Sequence, residues 1–117
     1  MKTRIFKSLI AGAVLLVSAP ALCAPENTAW FNIDRLEAST GSANGYRVYA
    51  SSYAMPLQGC EKSDFAEVQK DLSIADTDLL NRTLLAAFMT GRKVQLRLDG
   101  CGTTKRPAYR IVRVDAQ

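Results

Sequence analysis

Histidine is absent from all 117 residues, and this one absence removes more chemistry than any residue present supplies. Without an imidazole the commonest general base is missing, and with it the usual Ser or Cys triads and the standard zinc-binding sets. Cysteine is scarce, at three residues, and if Cys60 and Cys101 pair, no thiol nucleophile remains after residue 24. Phosphate-cradling, dinucleotide-binding and calcium-loop patterns are missing too. Two carboxylate pairs exist, Asp76 with Asp78 and Glu67 with Asp71. The first falls at a helix start, where acidic residues serve capping, and the second on the polar side of a strand, so both read as structural. No catalytic residue, metal ligand or cofactor is expected. Long apolar runs are also missing: the longest, Leu9 to Val17, is well short of the ~20 residues that cross a bilayer. Repeats, low-complexity stretches and internal linkers are absent as well.

That short apolar run has a different meaning. Lys2, Arg4 and Lys7 precede it, and Ser18-Ala19-Pro20-Ala21-Leu22-Cys23-Ala24 follows it with the small residues a signal peptidase cuts. Residues 1–24 therefore read as a signal peptide, and 25–117 as a single exported domain, secreted or periplasmic. A lipidated Cys23 would want a small residue immediately before it, and Leu22 stands there; cleavage within 21–24 is expected instead. In an oxidising compartment the two cysteines left, Cys60 and Cys101, are expected to pair. Closing their loop would contribute on the order of 4 kcal/mol by chain entropy.

Removing the leader also removes the apparent basicity. Three of the fifteen Lys and Arg lie in it, but none of the eleven Asp and Glu, which leaves twelve basic against eleven acidic residues and a net charge of +1. At that charge a nucleic-acid partner is disfavoured. The charge is unevenly spread: residues 25–80 carry four basic and nine acidic side chains, and 81–117 eight and two. Either the halves complement each other internally, or Arg92, Lys93, Arg97, Lys105, Arg106, Arg110 and Arg113 make a basic face for an acidic partner.

Hydrophobic periodicity predicts five strands and one helix. Trp30 to Glu37 alternates as a strand, Asn44-Gly45 signals a hairpin turn, and Tyr46 to Tyr53 returns. Phe65 to Leu72 has period two. From Thr77 to Thr90 the period becomes helical, with Leu80, Leu84, Ala87 and Phe88 on the stripe, Leu79 and Leu85 widening it, Asp76 as N-cap and Gly91 as the stop. Lys93 to Leu98 alternates again, Asp99 to Gly102 turns, and Tyr109 to Val114 is the last strand. The fold class is mainly β with one helix, in the order β-β-β-α-β-β. That order fits a five-stranded OB-like barrel; a plain sheet with one covering helix gives the same string.

The block from Leu79 to Leu96 (LLNRTLLAAFMTGRKVQL) resembles the helix, glycine stop and strand of small exported bacterial proteins, among them the receptor-binding B subunits of subtilase-cytotoxin-like AB5 toxins. The resemblance implies an OB-fold and, in its sharpest form, receptor or glycan binding by a homo-oligomer. Stand-alone exported proteins of the same build are resembled equally. Those toxin subunits carry more than one cystine and a sugar-contacting set with no counterpart here, so no binding residue carries over.

The one constellation suited to binding is aromatic. Arg47, Tyr49, Ser51 and Tyr53 share one parity on the second strand, and Tyr46, Val48 and Ala50 the other. If the first set faces outward, Arg47, Tyr49 and Tyr53 suit a sugar, a nucleobase or a protein partner's loop; otherwise the rings pack under a loop. Trp30 is either an N-terminal anchor or a recognition residue. The leading expectation is a non-enzymatic binding module with a protein or glycan partner and no membrane span. Alternatives are a structural or inhibitory periplasmic protein, a nucleic-acid-binding OB-fold, or a hydrolase.

Overall fold

A computed structural model describes residues 24–38 and 45–116. The expected leader with Cys23, and Asn44 of the expected hairpin turn, lie outside the described residues. The elements are β1 (Glu26–Asn27), β2 (Arg35–Ala38), β3 (Tyr46–Tyr49), β4 (Glu67–Val68), α1 (Ile74–Thr90), β5 (Val94–Cys101) and β6 (Pro107–Val114). The molecule is mainly β with one helix. Its strands form a four-stranded sheet, β1-β5-β6-β4, and a two-stranded sheet, β2-β3, rather than the closed five-stranded barrel expected. Val48 and Ala66 join the two by exchanging both backbone hydrogen bonds, at 2.9 and 3.0 Å. Closure is limited because that junction is a single residue pair.

The expected first strand divides because it changes partners. Thr28 N donates to Leu96 O, and Phe31 exchanges both bonds with Val94 on β5, but Asp34 N donates to Tyr49 O on β3. The third strand shrinks to two residues because its alternation does not survive: Glu67 is as buried as Val68, for the reason given below. Gly45 packs so closely on Val68 that a Cβ there would stand 2.4 Å from Val68 Cγ1.

The helix begins earlier than the sequence indicates. Ser73 is the N-cap, its hydroxyl accepting from Asp76 N at 3.1 Å, so Asp76 lies in the first turn, not at the cap. Gly91 ends the helix in the left-handed region (φ 69°), with Arg92 N donating to Ala87 O. Leu80, Leu84 and Ala87 are buried, but Phe88 is 38% exposed and Leu79 and Leu85 are exposed too. The buried stripe is narrower than expected because the helix lies against the sheet along one line of contact, and residue 88 is a further 100° round from Ala87.

On β5, Val94, Leu96 and Leu98 are fully buried, and the strand runs on through the expected turn to Cys101. That residue bonds Cys60, with Cα atoms 5.7 Å apart. On β6 a bulge leaves Arg110 unmatched: Arg97 faces Ile111, and Leu98 faces Tyr109. No helix among the described residues is long and apolar enough to cross a membrane.

Candidate functional site

The β2–β3 hairpin sets Arg35 opposite Tyr49 and Glu37 opposite Arg47. Alternation places all four on one face, while Val48, fully buried, and Ala50, nearly so, take the other. Glu37 Oε1 accepts from Arg47 Nη1 at 3.3 Å and from the Tyr49 hydroxyl at 3.0 Å. The Arg35 guanidinium lies over the Tyr49 ring, 3.9 Å from its centroid. The Tyr49 and Phe65 rings sit 5.2 Å apart, and Arg47 and Arg106 both approach the Phe65 ring, at 4.9 and 4.6 Å. Each such contact contributes of order 0.5–1 kcal/mol at an exposed site. Arg106 reaches this cluster because Asp64 holds it, Nε to Oδ1 at 2.8 Å. The same hydrogen bonds keep the Asp64 carboxyl below its ordinary pKa and raise that of Arg106.

Beside Tyr49 lies a recess of about 440 Å³ lined by Asp34, Arg35, Tyr49, Ala50, Ser51 and Asp64. Asp34 accepts from both the backbone N–H and the hydroxyl of Ser51, and these bonds lower its pKa. The walls thus mix one exposed guanidinium, two ionised carboxylates, a hydroxyl and one ring. Among the described residues no carboxylate pairs with Arg35, so its fork remains available for a ligand.

Of the three residues singled out from sequence, Arg47 and Tyr49 are brought together and Tyr53 is not. The strand ends at Tyr49, and Tyr53 N turns back to Ala50 O. Parity therefore fails beyond Ala50. The Tyr53 ring stacks on Phe31 at 5.3 Å, and its hydroxyl accepts from Ala29 N at 3.0 Å. Tyr49 alone of the three lines the recess. Arg35, Asp34 and Asp64 were not legible as site residues, because that requires the hairpin register; the Asn44-Gly45 signal is the one feature from which it could have been guessed. Trp30 is 44% exposed, next to the paired Phe31.

Glu67 is buried inward rather than lying on a polar strand face. Its Oε2 accepts from Thr104 N at 3.0 Å, Thr104 Oγ1 at 2.6 Å and Arg106 N at 3.4 Å, and its Oε1 from Thr103 Oγ1 at 3.4 Å. Satisfied in this way, it organises the 102–106 loop instead of offering a site. Among the described residues no group of three His, Cys, Asp or Glu could hold a metal.

Of the seven cations expected to share a face, Arg92 donates to the backbone carbonyls of Asp115 and Ala116, and five others divide into two groups. Arg106 and Lys105 pair locally, with Asp64 and Glu61. Arg97, Arg110 and Arg113 instead donate to neutral amides: Arg97 and Arg113 to the one Asn27 Oδ1, at 3.4 and 3.3 Å, and Arg110 to Gln69 Oε1 at 3.0 Å. Compared with protein-family models, curated proteins and solved structures, the chain matches none of them.

Proposed function

We infer that this protein is an exported, non-enzymatic binding module whose recess beside Tyr49 takes a sugar. The observation that carries the reading is the mixture of donors and acceptors around one aromatic ring: the Arg35 guanidinium donates, while the carboxylates of Asp34 and Asp64 and the Ser51 hydroxyl oxygen, whose proton goes to Asp34, accept. Sugar hydroxyls both donate and accept, so they use such a mixture fully. An anionic ligand would meet two carboxylates and one guanidinium, and would be repelled. Arg35 is the movable part, since a sugar ring stacking on Tyr49 displaces an exposed side chain that has no carboxylate partner among the described residues. Export rests on the leader-like sequence, and the Cys60–Cys101 bond accords with an oxidising compartment.

The OB-like reading of the fold is supported by the circuit of pairings. Residues 26–38 contact β5 at one end and β3 at the other, β3 meets Ala66, and β4 runs parallel to β6 beside β5. In its toxin-B-like version the module binds a glycan receptor as a ring-shaped homo-oligomer.

The test is a glycan panel on the purified protein, followed by an amide chemical-shift titration with any hit, and native mass. Shifts centred on Arg35, Tyr49 and Ser51 are expected, with binding lost in Tyr49→Ala and Arg35→Ala while melting stays near normal. Shifts centred elsewhere, or variants that only melt lower, would overturn the sugar site.

A further inference from the structure

Away from the recess, the far end of β6 carries an edge that no strand covers among the described residues. β4 pairs with β6 only at Ala108 and Tyr109, and the last bond on that side is Gln69 N to Tyr109 O at 3.0 Å. The chain then turns away toward α1. The orientation of the remaining β6 backbone follows from β5. Val94 exchanges both its bonds with Phe31, and Leu96 O accepts from Thr28 N, so both point away from β6. Their cross-strand partners are Val114 and Val112. In an antiparallel ladder such pairs do not bond each other. The N–H and C=O groups of Val112 and Val114 therefore point to the side that β4 has left, and among the described residues no strand meets them there.

The space on that side is shaped for a chain. A groove of about 430 Å³ separates the end of β6 from α1, with Thr83, Ala86, Ala87 and Thr90 on the helix side and Val114 on the other. Apart from Arg82 at one end, the helix residues are small, which leaves room for side chains of an incoming segment between helix and sheet. Charge lies around the same edge. Arg92 lines the groove and donates to the carbonyls of Asp115 and Ala116. Arg110, on β6 itself, bonds the Gln69 amide and, among the described residues, no carboxylate, whereas Arg113 leans the other way, over β5 to Gln95 and Asn27. Two guanidiniums, those of Arg92 and Arg110, thus flank an edge whose backbone groups meet no strand among the described residues.

We propose that the β6 edge at Val112 and Val114 is a strand-addition site for an extended acidic polypeptide segment of a partner. Such a segment completes the ladder with its backbone and sets carboxylates beside Arg92 and Arg110, while its alternate side chains, small and apolar, enter the groove against Val114 and Ala86. A second copy of the same edge is a poor occupant, because it would bring Arg92 and Arg110 near their own counterparts. A nucleic acid is also disfavoured, because no aromatic ring lines the groove on which a base could stack.

The experiment titrates ¹⁵N-labelled protein with an N-acetylated, C-amidated peptide of alternating glutamate and valine. Two controls are the same peptide with lysine for glutamate, and the acidic peptide methylated on its valine nitrogens. In the free protein the Val112 and Val114 amides are expected to exchange with solvent faster than those of Ile111 and Arg113. With the acidic peptide they shift and become protected, binding weakens as salt rises, and both controls bind at least about tenfold more weakly. Arg92→Glu with Arg110→Glu should give a similar loss with the spectrum otherwise native. Val112→Pro removes only an outward N–H and should block addition while both arginines remain. Equal binding by the N-methylated peptide would overturn the proposal in favour of mere charge attraction. So would silence at Val112 and Val114, or tighter binding by single-stranded DNA at the same arginines.

Discussion

The hydroxyl of Tyr109 donates to the backbone carbonyl of Tyr46 at 2.6 Å, joining β6 to β3 through the core. Tyr109 is fully buried, and burial drives its pKa well above the ordinary phenol value. A raised folded-state pKa means that stability is complete below the unfolded pKa, near 10, and is lost as pH rises above it. Each pH unit beyond that point should cost up to about 1.4 kcal/mol. Urea unfolding measured across the alkaline range should show this slope in the wild type. Tyr109→Phe should flatten it while lowering neutral-pH stability by about 1 kcal/mol for the lost hydrogen bond.

The disulfide spans 41 residues. Replacing Cys60 and Cys101 together by Ala should destabilise the domain by about 2–5 kcal/mol. Non-reducing mass spectrometry of the untreated protein should give a mass two hydrogens below the reduced form. Two free thiols in protein isolated from the cell envelope would refute the pairing.

On the helix, Leu84 is fully buried and Phe88 more than a third exposed. Leu84→Ala should cost about 2–5 kcal/mol. Phe88→Ala should cost much less, and Arg82→Ala under about 0.5 kcal/mol, because its ion pair with Asp78 is exposed on both sides. Denaturant midpoints for the three variants give the ranking directly.

The Glu67 carboxylate and the loop it organises are matched closely. A Cβ on Gly102 would stand 2.4 Å from Glu67 Cδ, so Gly102→Ala must push the carboxylate off its donors. Glu67→Ala leaves the N–H groups of Thr104 and Arg106 without their acceptor. A loss of about 1–3 kcal/mol is expected for each variant, read by thermal unfolding; a neutral result at both would mean that water replaces the carboxylate.

Where the pattern was local, the sequence was informative. Val94, Leu96 and Leu98 alternate because one face of β5 is core, and Gly91 stops the helix because its φ is positive. Chain reversals were harder. Nothing local marks the turn by which Tyr53 leaves the face of Tyr49, because Ser51 and Ser52 are as acceptable in a strand as in a bend. Glu67 defeated the period-two reading for another reason: its burial depends on donors from Thr104 and Arg106, more than 35 residues away. The recess was invisible on the same ground, since Asp34, Arg35 and Asp64 meet Tyr49 only once the register of β2 and β3 and the placement of the Phe65 segment are known. Ser73 displaced Asp76 as the cap because Ile74 and Ala75, silent in the amphipathic pattern, are helical nonetheless.

The pairing of Glu26 and Asn27 with Leu98 and Arg97 has a consequence for the order in which the molecule can form. The earliest strand of the described residues waits for one made some 70 residues later, so at roughly 5–20 residues per second of synthesis several seconds pass before its partner exists. The β2–β3 hairpin can pair early, but the four-stranded sheet cannot be completed on a nascent chain that stops short of β5, because residues 26–31 would have nothing to pair with. Folding of this domain therefore waits on β5 and β6, and is governed by the closing of long loops that belongs to the slower range of small proteins.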